Sequence, residues 1–153
     1  MNKLKLFLIS ISPFIIGKLF SYLTLEFEFI GVELSILSIL FCVYWFYMGY
    51  KSHDYGKSAK ESILLGNGFA MICILLIVIQ KGFMGRYMFN VIGLTPQTFY
   101  LPMIRVSSWI DSLIHLFISF TSRSIFISTI SLILMMTIFY LGYKKAKIID
   151  EGR

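Results

Sequence analysis

Residues 104–122 read IRVSSWIDSLIHLFISFTS. Whether this stretch crosses a membrane or rests beside one decides the architecture of the whole chain. On a helix, Arg105, Ser108, Ser112, His115 and Ser119 fall on one face at steps of three and four, while Val106, Trp109, Ile110, Leu113, Phe117 and Phe120 cover the other. The length is close to the roughly 20 residues that a span needs. A crossing helix, however, takes Arg105, Asp111 and His115 into hydrocarbon, which is costly. The stretch therefore reads as an amphipathic helix lying at an interface or against a bundle.

The crossing segments lie around it. With 58% hydrophobic and 14% charged residues in 153, the chain has too little charge for a surface facing water, where about 25% is usual. Four apolar segments, 4–23, 34–50, 62–80 and 124–143, are candidates for spans. In hydrocarbon each must pair its backbone groups within itself, so each is expected to be a helix. The expected fold is an all-α integral membrane protein of one domain, 1–153. It is a four-helix transmembrane bundle with an extracytoplasmic loop and an amphipathic interfacial helix over 82–123, between spans three and four. The start, MNKLKLFLISISPFIIGKLF, has the basic head and apolar body of a signal peptide, but no A-x-A-like site follows, so it reads as an uncleaved first span.

Charge sets the expected orientation. Lys3, Lys5, Lys51, Lys57, Lys60, Lys144, Lys145, Lys147 and Arg153 fall on one side of such a bundle, and only Lys81, Arg86, Arg105 and Arg123 on the other. The richer side is cytoplasmic, which places both termini inside and Glu26, Glu28 and Glu33 outside. A fifth span at 104–122 would move the basic tail outside. Tyr44, Trp45, Phe46, Tyr47 and Tyr50, with Tyr140 and Tyr143, gather at the inner ends of spans two and four, where rings suit the headgroup level. Abundant Ile, Phe, Lys and Tyr point to an AT-rich bacterial genome and hence a bacterial cell membrane. The net charge of +6 would suggest nucleic acid in a soluble protein. Here it brackets the spans, and the expected partners are the lipid bilayer and another membrane protein or further copies of the chain.

Between span three and the amphipathic helix, residues 90–102 read NVIGLTPQTFYLP. Pro96 and Pro102 each remove a donor and bias Thr95 and Leu101 away from helix, and Gly93 permits a turn. This reads as an outer loop with Phe99 and Tyr100 as anchors, a short re-entrant hairpin being the alternative. Small residues supply faces for close helix packing. Ser58, Ser62, Gly66 and Ala70 form one stripe, Ser35, Ser38, Cys42 and Gly49 a second, and Ser124, Ser128 and Ser131 a third, while Pro13 is expected to kink the first span.

Few residues offer chemistry. Gly56, Lys57 and Ser58 resemble the end of a phosphate loop, but position 51 is Lys where a glycine is needed, and no strand precedes it. Cys42 and Cys73 form no C-x-x-C, and no cofactor or metal-ligand set is evident. His115 lies four residues after Asp111, so the two can meet on one helix face as a weak catalytic candidate. Arg86, Asn90, Gln97 and Arg105 are candidates for binding on the outer side. Lys18, Glu33 and Asn67 are the polar residues in or beside the spans, with Lys18 free to snorkel outward or to pair with Glu33. Asn67 is suited to interhelical hydrogen bonding. The expected function is that of a non-enzymatic subunit, assembly partner or protective (immunity) factor. Alternatives are a small oligomeric transporter or channel using Lys18, Glu33 and Asn67, and an enzyme acting on lipid or an outer-surface substrate through Asp111 and His115.

Overall fold

Uninterrupted apolar sequence gives the three longest helices: α1 over Asn2–Phe27, α2 over Val32–Ser52 and α7 over Arg123–Glu151. The computed structural model describes residues 2–27, 32–56, 58–88, 90–116 and 123–152. Glu28, Lys57, Phe117, Ser119, Phe120 and Arg153, and the side chains of Lys3 and Arg123, lie outside the described residues. All three long helices are apolar enough to cross a membrane. The third expected span is not straight. It divides into α3, Ala59–Gly66, and α4, Gly68–Val78, which meet at a 50° bend, and α4 runs on into a π-helical turn, Ile79–Phe83. Glycines on both sides of Asn67 hold helix weakly, and the Asn67 amide donates back to the Ile63 carbonyl at 3.0 Å. Counting the bent pair once gives four candidate crossings, and no strand occurs among the described residues.

α2 and α7 run antiparallel and touch backbone to backbone. Gly49 lies on the Phe139 carbonyl and Gly142 on the Phe46 carbonyl, each closer than a Cβ would allow. Trp45 sits in the seam, fully buried, and donates from Nε1 to the Met135 carbonyl at 3.0 Å. It stacks on Phe41 at 5.8 Å and meets Phe139 at 5.4 Å. Trp45 is therefore a core residue rather than the expected headgroup anchor: once the glycines bring the helices together, its indole N–H finds an acceptor inside. Gly66 faces the Phe139 ring, and Ser62 and Ala70 are buried beside it, so the small-residue stripe of α3 and α4 faces the bundle.

Pro13 lies inside α1. It cannot donate to the Ile9 carbonyl, and Ser12 Oγ donates there instead at 2.8 Å while accepting from the Tyr44 hydroxyl of α2 at 2.8 Å.

The largest departure from expectation is residues 90–102. They form α5, Val91–Tyr100, and a 3-10 turn, Leu101–Met103, which passes directly into α6, Ile104–His115. Asn90 caps α5, its Oδ1 accepting the Gly93 N–H at 2.8 Å. Pro96 is inside the helix, and the Thr98 carbonyl, which Pro102 cannot serve, accepts from the Leu101 N–H. Gly17 of α1 packs on that same carbonyl. Phe99, Tyr100 and Met103 are buried in the core, and the Tyr100 hydroxyl donates to the Ala70 carbonyl at 2.6 Å. Long-range packing thus outweighs the local penalty of proline. The stretch is helical and packed into the core, not an open loop with surface anchors.

α6 leads back along α7, with Ser107 and Ser131 hydroxyls 2.7 Å apart. It packs against the bundle, one of the two placements expected of it, and its buried face is Ser107 and Asp111, whereas Trp109, Ser112, Leu113 and Leu116 are exposed. Small polar groups pack against a neighbouring helix and bulky apolar ones face outward, as expected where the surroundings are lipid.

The glycine seam makes a prediction. Gly142→Ala overpacks α2 against α7 and lowers stability by about 1–3 kcal/mol. Gly68→Ala, where a Cβ meets nothing within 4 Å, is neutral or stabilising by about 0.4–1 kcal/mol. Unfolding midpoints in one detergent should fall for the first and not for the second.

Candidate functional site

A cavity of about 150 Å³ lies among α4, α5, α6 and α7. Ile77, Tyr100, Ile104 and Ile127 form its apolar wall, and Gln97, Ser128 and Ser131 its polar edge. Most donors there are already committed. Ser128 Oγ donates to the Ser124 carbonyl at 2.9 Å, and Ser131 Oγ to the Ile127 carbonyl at 2.9 Å. Gln97 Nε2 reaches the Gly93 carbonyl at 3.2 Å, and the Tyr100 hydroxyl points to Ala70. The aliphatic walls favour an apolar occupant. Tyr87 closes one edge, and Lys81 Nζ lies 4.2 Å from its ring centroid.

The segment holding that edge is shaped by Gln80. Its carbonyl accepts the Arg86 N–H at 3.2 Å and its Oε1 accepts the Met88 N–H at 3.1 Å. Gly85 takes the left-handed φ of 66° that turns the chain after the π-helical turn. Arg86 and Asn90 border a second groove with Tyr87. Of the four binding candidates, then, Gln97 lines the cavity, Arg86 is exposed on the neighbouring groove, and Asn90 is occupied as a helix cap. Arg105 is half-buried, and its Nε has no hydrogen-bond partner among the described residues. Neither hollow is lined by Arg105, Asp111 or His115.

Asp111 and His115 do meet, with Oδ1 and Nδ1 3.3 Å apart, the carboxylate fully buried and the imidazole 28% exposed. The two atoms approach without forming a hydrogen bond with each other, so the pair is a near contact of carboxylate and imidazole. Among the described residues, no three His, Cys, Asp or Glu side chains gather as metal ligands.

The polar residues of the spans are not brought together. Lys18 is exposed, its ammonium 5.7 Å from the Phe14 ring centroid, and no ion pair joins it to Glu33 among the described residues. Glu33 is exposed in the first turn of α2, where a carboxylate suits the helix dipole. Asn67 is fully buried, and its Oδ1 has no hydrogen-bond partner among the described residues.

Tyr87, Tyr100 and Ser107 were not singled out by sequence as site-building residues. Ser128 and Ser131 were visible only as a packing stripe. Compared with known proteins, the chain matches no family model, no curated protein and no solved structure.

Asn90 tests capping against ligand binding. Asn90→Ala should lower the protection of the α5 amides by about 1 kcal/mol, and Asn90→Ser should retain it. Hydrogen exchange read by mass spectrometry distinguishes the two.

Proposed function

We propose that this chain is a non-enzymatic multi-pass protein of a bacterial cell membrane, working as a small subunit, assembly partner or protective factor. In this reading α1, α2, the bent pair α3–α4 and α7 cross the bilayer and both termini are cytoplasmic. The α5–α6 hairpin enters from the outer side and returns to it. The reading rests on how the hairpin uses its polar groups. Asn90, Gln97, Tyr100 and Ser107 each bond to a backbone or to another helix within the bundle. Such bonds make the hairpin a shaped, fixed element, and they leave Trp109, Leu113 and Leu116 as its outward ridge. A rigid surface carrying an exposed tryptophan suits recognition of another membrane protein.

Two measurements test this reading. A reporter that fluoresces only in the cytosol should light at the carboxyl terminus and stay dark after Gln97; the opposite pattern overturns the topology. Isolation in mild detergent should recover a second membrane protein, and Trp109→Ala should weaken its retention by roughly 2 kcal/mol. Recovery of a lone monomer under several conditions counts against the assembly role.

The Asp111–His115 pair supports a second reading, an enzyme acting on lipid or an outer-surface substrate, because a buried carboxylate beside a partly exposed imidazole is the arrangement that orients a general base. A His115→Ala strain that behaves as wild type removes it.

A further inference from the structure

We propose that the cavity between α4 and α7 takes up an acyl-chain segment of an anionic phospholipid whose headgroup is held by Lys81 and Arg86. The inference goes beyond the assembly role and shares with it only the placement of the bundle in a bilayer. Three observations meet at this place. The first is the wall: Ile77, Ile104 and Ile127 are aliphatic, no charged side chain lines the cavity, and the hydroxyls of Tyr100, Ser128 and Ser131 donate to helix carbonyls. A polar metabolite would lose its hydration there with little in return, whereas a methylene chain loses nothing. The second is access. Ile104 lines the cavity and is itself 39% exposed, so the space opens sideways rather than being sealed. Along α7 it extends from Ser124 to Ser131, roughly 10 Å at 1.5 Å per residue. Its volume of about 150 Å³ matches that of an engineered apolar cavity that binds benzene, so it suits part of one chain and not a whole lipid.

The third observation is charge at the rim. Tyr87 belongs both to the cavity and to the groove that Arg86 borders. The Lys81 ammonium sits 4.2 Å from the centre of the Tyr87 ring, and no carboxylate pairs with it among the described residues. One cation therefore lies against the Tyr87 ring, and a second borders the groove that this ring shares with the apolar hollow. A phosphate diester bearing a fatty chain satisfies both halves at once: the anion meets Lys81 and Arg86, and the chain runs past Tyr87 toward Ile127.

The test uses the intact protein in nanodiscs containing phosphatidylglycerol or phosphatidylcholine with a diazirine in one acyl chain. After irradiation, mass spectrometry locates the label. We expect label on Ile104 and Ile127, in higher yield from phosphatidylglycerol, with that preference falling about fivefold in Lys81→Gln. Ser128→Leu, which fills the cavity, should reduce label at Ile127 and leave it unchanged at outward-facing Leu75 and Ile133. Label confined to Leu75 and Ile133 in the wild-type protein overturns the cavity site while leaving the bundle in the bilayer. Equal yields from the two lipids overturn the headgroup assignment, and label on no helix overturns both this proposal and the membrane placement.

Discussion

Most hydrogen-bonding groups carried into this bundle find a partner inside it, Asn67 Oδ1 being an exception among the described residues, and the arrangement of helices follows from how those debts are met. The Ile9 carbonyl, freed by Pro13, is served by Ser12, which in turn accepts from Tyr44, and the repair ties α1 to α2. The Thr98 carbonyl, freed by Pro102, takes the Leu101 N–H and lies against Gly17, which seats α5 on α1. The Trp45 indole finds Met135 and links α2 to α7, and the Tyr100 hydroxyl finds Ala70 and links α5 to α4. In hydrocarbon an unmet group costs several kcal/mol, so these few contacts govern which helices are neighbours more firmly than apolar matching does.

The long apolar helices were legible because composition alone requires them. Of the stripe Ser58, Ser62, Gly66 and Ala70, the last three are buried, legible because helical spacing and side-chain size are both local properties, while Ser58 is exposed as the N-cap of α3. The seam of Gly49 and Gly142 was harder to see. Gly49 sat in a recognised stripe, but its opposite number lies beyond the serines that marked the facing helix. Residues 90–102 misled for a different reason. Two prolines and a glycine carry a strong local signal for irregular chain, and the contacts that overrule it, with Gly17, Phe69 and Ala70, are distant in sequence. A hint was present in Asn90 followed by an apolar run, which is a helix-start pattern.

The faces of α6 show a limit of amphipathicity as a guide. Periodicity set Arg105, Ser108, Ser112 and His115 on a polar side, but the buried positions are Ser107 and Asp111, and Ser112 is exposed along with Trp109 and Leu113. Periodicity does not say which side faces in. Beside water the apolar side turns inward. Where lipid surrounds the bundle, the apolar side loses nothing by facing out, and the small polar side gains hydrogen bonds by facing in. The Ser107–Ser131 contact is such a gain. The environment supplies the sign that the sequence pattern lacks.

The bend between α3 and α4 and the packing of α5 belong together. The bend falls at Asn67, and the hairpin tip arrives within a few residues of it, Phe99 against Phe69 and Tyr100 bonded to Ala70. Below the bend, α3 keeps Gly66 on Phe139 and so holds close to α7. Above it, α4 leans on a new axis, with α5 packed against it, and ends at Gln80, whose side chain fastens the segment that starts the hairpin. The cavity lies in this upper region, between Ile77 of α4 and Ile127 of α7. It is a consequence of the lean and of the hairpin that accompanies it. No single residue of its wall announces a site, because the site is made by the angle between helices and not by any one side chain.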